Sequence, residues 1–176
     1  MHVFVSGRPS LDLLGTLKWR RDKPEELLHS ATDVRDWFAS SSLGERVVPA
    51  SADVDRVRAV REALYRAVTA VRAGNRPARA DVALLNDLAA APGPQLRLTA
   101  TGAVRRSTTI EQALALVVRD AFDLLGDDVT QVRDCANPRC TRLFVDTSRG
   151  ARRRWCGMSE CGNAAKVAAF RARQRP

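Results

Sequence analysis

Apolar positions recur every three or four residues through much of the first 130 positions, the spacing of one face of an α-helix. Val54, Val57, Val60, Leu64, Val68 and Val71 mark the longest such face and predict a helix over about 52–73. Ser51 stands where an N-terminal cap is needed, and Asp53 and Asp55 sit at the positive end of the helix dipole. Gly74-Asn75 and Pro77 end it. Val34, Trp37 and Phe38 predict a shorter helix after Ser30-Ala31-Thr32-Asp33, where the serine hydroxyl can accept from the N–H three residues on. Val82, Leu85 and Leu88 predict a third over about 79–90, broken by Ala91-Pro92-Gly93-Pro94. Thr108-Thr109-Ile110-Glu111 fits a capping box. A fourth helix follows it to about 125, burying Ile110, Leu114, Val117, Ala121 and Leu125 and ending at Gly126-Asp127-Asp128.

Alternation of period two is sparser. Val3-Phe4-Val5 is a short β-like run, and residues 95–99 alternate like a half-buried strand able to pair with 3–5 or 103–105. Leu11 to Leu17 is a mainly apolar run, with leucines at 11, 13, 14 and 17, and fits either a strand or a helix. Near the C-terminus, Thr141 to Asp146 is strand-like, with Arg152 to Trp155 as its expected antiparallel partner across a turn at 147–151. Residues 162–171 read as a final helix, and Phe144, Trp155, Val167 and Phe170 as a small apolar cluster. The expected fold class is mainly α with a small β component (α+β). A helical N-terminal domain over 1–130 precedes a C-terminal module over 131–176.

Hydrophobic residues are 45% of the chain and aromatics 5%, so the core must be built from Leu, Val and Ala. No apolar stretch reaches the roughly 20 residues a bilayer span needs. The N-terminus also lacks a basic segment followed by a long apolar run, so a cytoplasmic protein is expected. All four cysteines lie in the last quarter, as Cys135-x4-Cys140 and Cys156-x4-Cys161. In a reducing compartment such pairs read as metal ligands rather than disulfides. Four thiolates around one tetrahedral zinc ion leave no open position, so the expected role is structural. Cysteine count alone leaves an iron–sulfur cluster open.

The formal charge is +9, and its distribution matters more than its size. Residues 131–176 hold 11 Lys/Arg and 3 Asp/Glu, against 18 and 17 in the first 130. A positive field confined to one small module points to a polyanion, most often nucleic acid. Arg142, Arg152, Arg153, Arg154, Lys166, Arg171 and Arg173 are the candidate contacts, with Arg175 four residues beyond Arg171. In a strand, Arg152 and Arg154 would share one face.

Cys135-x4-Cys140, Phe144-Val145-Asp146-Thr147-Ser148, Arg154-Trp155-Cys156 and Cys161-Gly162-Asn163 with Lys166 resemble the CGNR zinc-finger proteins. Ala164 stands where that family has its arginine, which removes one expected basic side chain. Ser6-Gly7, Leu11-Asp12-Leu13-Leu14-Gly15-Thr16 and Val34-Arg35-Asp36-Trp37-Phe38 resemble the ABATE domain that precedes this finger, with Gly15 in place of an expected asparagine. The resemblance implies a bacterial, stress-related transcription regulator.

Other features carry less. His2 and His29 are isolated in sequence, and Asp127-Asp128 reads as a helix-end turn. Trp19 and Trp37 read as core packing. No Ser-His-Asp or Cys-His set and no glycine-rich phosphate loop is present, so no enzyme is expected. The function expected is a zinc-containing, DNA-binding transcription regulator. Its N-terminal domain would sense a ligand or mediate self-association, and a homodimer or partner protein would supply the specificity that one finger lacks. RNA binding, or a zinc module that docks proteins, is the alternative.

Overall fold

The computed structural model describes residues 2–127 and 129–174. Three long helices build the core: α3 (Ser51–Arg72), α4 (Arg79–Ala90) and α5 (Ile110–Asp127) pack on one another, with α1 (Pro9–Leu14) against α3 and α5 and α2 (Ala31–Ser40) against α3. Most of the predicted apolar positions are buried: Val54, Val57, Val60, Leu64 and Val68 on α3, Leu85 and Leu88 on α4, and Leu114, Val117 and Ala121 on α5; Val71 is only partly buried, and Val82, expected on the buried side of α4, is exposed. Ile110 and Leu125 are only partly buried at its ends. The ambiguous Leu11–Leu17 run divides, its first part in α1 and its end in a short strand, β1 (Leu17–Lys18).

The helix starts correct two expectations. Ser30 caps α2 as its sequence implies, accepting from Asp33 N–H at 3.3 Å. Ser51 instead forms the first residue of α3, and the Asp53 carboxylate accepts from Ala50 N–H at 2.7 Å. At α5 the reciprocal pair is Thr109 with Gln112, one residue later than the box at Thr108 and Glu111. Thr108 turns its hydroxyl to the buried Glu45 carboxylate instead.

The three β pieces are two-stranded antiparallel ribbons. β1 pairs with β2 (Glu25–Glu26). β3 (Gln95–Leu98) pairs with β4 (Val104–Ser107) rather than with residues 3–5, which form no strand. This second ribbon is exposed along both strands, so its alternation does not mark a half-buried face.

β1–β2 is fixed to α3 by a buried ion cluster. Arg61, 2% exposed, donates both terminal nitrogens to Glu26 at 2.7 Å and its Nε to Glu62 at 2.8 Å. Arg20, lying over the Tyr65 ring, pairs with the same Glu62. Burial, the largest single influence, pushes the Glu26 carboxyl up, but the hydrogen bonds and charge of Arg61 together with the N–H groups of Leu28 and Leu27 outweigh it and hold the group below the ordinary carboxylate range.

The last ribbon, β5 (Val132–Asp134) with β6 (Leu143–Val145), joins the C-terminal module to the helices. Along β6 the side chains alternate. Leu143 and Val145 enter the main helical core with Val132, while Phe144 turns to the other side and packs among the cysteines. Val145 N–H donates to Ser6 O at 2.8 Å, and Gly7, at φ +85°, turns the chain there. The buried Asp12 carboxylate holds this N-terminal segment by accepting from Val5 and Ser6 N–H at 3.0 and 2.9 Å. Gly157 closes on the same segment, where an added Cβ would stand 3.1 Å from a Val5 methyl.

This shared core gives an expected outcome. Leu143→Ala should lower the stability of the helical part by about 2–5 kcal/mol, read by urea unfolding at 222 nm, while Val167→Ala on the exposed final helix should change it by less than about 0.5 kcal/mol. The Glu26 carboxyl has a depressed folded pKa, so its contribution is complete above the unfolded value of about 4.3 and is lost as pH falls through the folded one. The urea midpoint should therefore fall on acidification below about pH 4.3, and Glu26→Gln should flatten that acid limb.

Candidate metal centre

Each cysteine is placed by a local backbone device. Cys135 follows β5 directly, and its N–H donates to Arg142 O at 3.1 Å, extending the ribbon past its last paired residues. Asn137-Pro138 then turns the chain, with Cys140 N–H donating to Asn137 O at 2.8 Å. The first cysteine pair is therefore the tip of the β5–β6 ribbon. After β6, the Asp146 carboxylate gathers the loop by accepting from Ser148 N–H at 2.9 Å, Ser148 Oγ at 2.5 Å and Arg153 N–H at 3.0 Å. The Ser148 hydroxyl holds the Asp146 carboxyl below the ordinary range. Ala136 N–H donates to Arg154 O at 2.8 Å and brings Cys156 beside Cys135. A wide π-type turn over Met158–Gly162 carries Cys161 into α6 (Asn163–Arg173). Gly162 fits because a Cβ there would stand 2.5 Å from the Met158 sulfur.

The four sulfurs all lie within 4.8 Å of one another, and Cys140 and Cys156 are 3.8 Å apart. Zinc–sulfur bonds of about 2.3 Å at tetrahedral angles give sulfur–sulfur edges of about 3.8 Å. The spacing is far beyond the roughly 2.05 Å of a disulfide, and all four cysteines are free thiols. It suits a single ion; a multi-iron cluster would hold its thiolates further apart. The thiols already polarise one another: hydrogen bonds from Cys140 and Cys156 pull Cys135 down to about 2, and the hydrogen bond that Cys140 gives Cys135 pushes Cys140 up to about 12. Cys156 is pushed up by its hydrogen bonds with Cys135 and Cys140. Cys156 N–H and Asn137 Nδ2 donate to Cys135 and Cys161 sulfur, each at 3.4 Å, the bonds that a coordinated thiolate accepts. Three of the four cysteines are buried beside Phe144, so the centre fits one structural zinc.

The expected partner of the 141–146 strand is corrected. Residues 152–155 form no strand, because Asp146 and Ser148 take the Arg153 N–H and fold the loop back; β6 pairs with β5 instead. Phe144 and Trp155 join the cysteines as expected, but Val167 and Phe170 are 48% and 54% exposed and lie outside that cluster.

The candidate arginines separate into two groups. Arg142 is buried, with Nη1 donating to Glu160 at 3.2 Å. A Cβ at Gly15 would stand 3.2 Å from the Arg142 Nε, so glycine at that position makes room for it. Arg153 lies over the Phe144 ring at 4.3 Å and donates to the carbonyls of Val5, Trp155 and Cys156. Arg142 is thus committed inside the protein, away from the binding face expected for it, while the half-buried Arg153 has its guanidinium held by backbone carbonyls. Arg152, Arg154, Lys166, Arg171 and Arg173 are exposed. The module's three carboxylates are all taken: Asp134 by Arg72 at 2.8 Å, Asp146 by the loop and Glu160 by Arg142. Among the described residues the five exposed cations have no carboxylate partner; Arg175 and Asp128 lie outside the described residues.

Trp19 corrects a third expectation. Trp37 is 1% exposed in the core, in a T-shaped contact with Phe38. Trp19 instead has a positive φ of 54° and lines a small space with Cys140, Thr141 and Cys161. Arg139 lies over its ring at 5.2 Å and pairs with Asp22 at 3.1 Å. The tip of β1–β2 thus lies beside Cys140 and Cys161, and the polar run around Trp19 gave no sign of it. His2 Nε2 meets Asp33 O at 3.0 Å and the His29 backbone N–H donates to Asp33 at 3.0 Å; neither histidine is near the cysteines.

The protein should carry one zinc per chain by elemental analysis. Cys161→Ser, or chelation, should abolish stoichiometric zinc and the order of residues 135–161. The helical signal at 222 nm should largely remain, because α1 to α5 need no metal.

Two protein-family models match the chain. Residues 7–128 match ABATE, described as "putative stress-induced transcription regulator", and residues 131–174 match the CGNR zinc finger. A search of curated proteins finds no match. No helix among the described residues is long and apolar enough to cross a membrane. With both domain models in chain order and four thiols gathered for one ion, the chain belongs to the ABATE family and carries a CGNR zinc finger as its C-terminal module.

Proposed function

We propose that the zinc module binds DNA and that the helical N-terminal part governs this binding, by sensing a ligand or by self-association. The observation that carries the reading is the set of exposed cations without carboxylate partners, among the described residues, on a scaffold whose own carboxylates are all committed. A cation without a protein partner is free to replace a phosphate counterion. Arg152 and Arg154 stand beside the ligand Cys156, and Lys166, Arg171 and Arg173 lie on the helix that follows Cys161. The metal therefore fixes both groups relative to one another. Contacts of this kind set affinity and register rather than base choice, and the reading involves no catalytic step.

Control by the N-terminal part is supported by where it touches the module. Val5 meets Gly157 and Arg153, and the tip of β1–β2 lies beside Cys140. A shift of either segment would move a zinc knuckle.

Changing Arg152, Arg154 and Lys166 together to Gln should reduce the slope of log affinity against log salt by about one for each phosphate no longer neutralised, so by up to about three. Affinity for duplex DNA at moderate salt should fall at least tenfold, with zinc content unchanged. Fluorescence anisotropy with a labelled duplex measures both. Unchanged affinity and slope would refute the reading, and equal binding by duplex RNA would redirect it.

A further inference from the structure

We infer that the groove between Trp155 and α6 receives one unstacked nucleobase of a bound nucleic acid. This deepens the nucleic-acid reading above and rests on it. The groove has a volume of about 540 Å³ and is lined by Asn137, Pro138, Arg154, Trp155, Ala164 and Ala168, with Cys161 and Ala165 below. Its apolar surface is an indole wall facing small alanine side chains. Its one amide is already used: Asn137 donates to the Cys161 sulfur at 3.4 Å and accepts from Arg139 N–H at 3.1 Å. No carboxylate lines it, and the Arg154 guanidinium lies over the Trp155 ring, 5.4 Å from its centroid, so an entering base would displace it from the indole face and draw it to the phosphate.

A flat ring with an anionic tail matches that chemistry. The base would stack on Trp155 over the alanines, and its phosphate would meet Arg154, while Lys166 lies off the groove's lining and serves the flanking backbone. An apolar side chain from a partner protein would fill the same volume, but it would leave the unpaired guanidinium without a counter-charge. Charge complementarity therefore favours the nucleotide. Ala164 matters here, because a long side chain at that position would occupy the groove. A base inside a duplex cannot enter without unpairing, so a strand with an unpaired base should bind at the lowest cost.

The test uses the full-length zinc-loaded protein and two labelled probes: an intact DNA duplex, and the same duplex with a single-nucleotide bulge. The bulged probe should bind about 5- to 100-fold more tightly and quench tryptophan fluorescence. Ala164→Leu with Ala168→Leu replaces exposed residues and should leave zinc content and intact-duplex affinity unchanged, while removing both the preference and the quenching. Lys166→Gln should weaken both probes equally. Equal binding of the two probes by the unaltered protein, or a preference that survives the filled groove, would overturn the inference while leaving duplex binding intact. Binding of neither probe would instead sink the nucleic-acid reading beneath it. Tryptophan quenching by an apolar peptide, with no response to the bulged probe, would assign the groove to a protein partner and overturn the inference.

Discussion

Four thiolates held within 4.8 Å of one another repel strongly, and a shared cation turns that repulsion into the strongest constraint in the chain. Among the described residues, the two knuckles at 135–140 and 156–161 and the start of α6 are arranged by it. The four ligands come from two segments that share few apolar contacts, since the cysteine cluster contains only Phe144 as a fully buried aromatic. So small a core cannot hold two knuckles, a loop and a helix in register by itself. The metal does that, and the backbone devices around it then fix direction: the Asp146 loop, the Ala136–Arg154 bond and the π-type turn before α6.

The second constraint is the alternation along β6. Three consecutive residues serve two cores, because Leu143 and Val145 point into the helices and Phe144 points to the metal. A module attached in this way is not an appendage on a tether. Arg153 strengthens the joint by bonding to Val5 on one side and to the carbonyls of Trp155 and Cys156 on the other. Gly157 and Gly15 permit it, each leaving space that a Cβ would fill.

What the sequence made legible follows from the range of each interaction. The helices were readable because their signal is local and repeats every turn, and the metal ligands because paired cysteines with turn residues between them have few other uses. The partner of β6 was harder to read. Both 132–134 and 152–155 suit a strand, and the choice falls to Asp146, whose hydrogen bonds to Ser148 and Arg153 fold the second candidate away. The Asp146-x-Ser148 spacing carries that turn in the sequence, so the signal was present. No such signal marked Trp19, which reaches the first knuckle through a tertiary contact and a positive φ. The shift at Thr108 arose because Thr109 is an equally good cap and Glu45 takes the Thr108 hydroxyl, whereas at α3 the N-cap is Ala50 and the Asp53 carboxylate satisfies its N–H instead of a serine cap.

Charge shows the same division between local composition and tertiary use. Counting cations located the basic module correctly but could not rank its members, because an arginine's role depends on what lies opposite it. Arg142 and Arg153 meet a carboxylate and a ring of carbonyls inside the protein, and Arg139 meets Asp22 and Trp19. Each carboxylate taken this way leaves another cation unneutralised. Glu160 satisfies the buried Arg142, and Asp134 reaches out to Arg72, so neither screens Arg152, Arg154 or the cations of α6. The exposed charge of the module is therefore a consequence of how its interior is satisfied. Ala164 fits that logic: the loss of a cation at the start of α6 leaves an uncharged groove beside Trp155, with Arg154 as the charge at its edge.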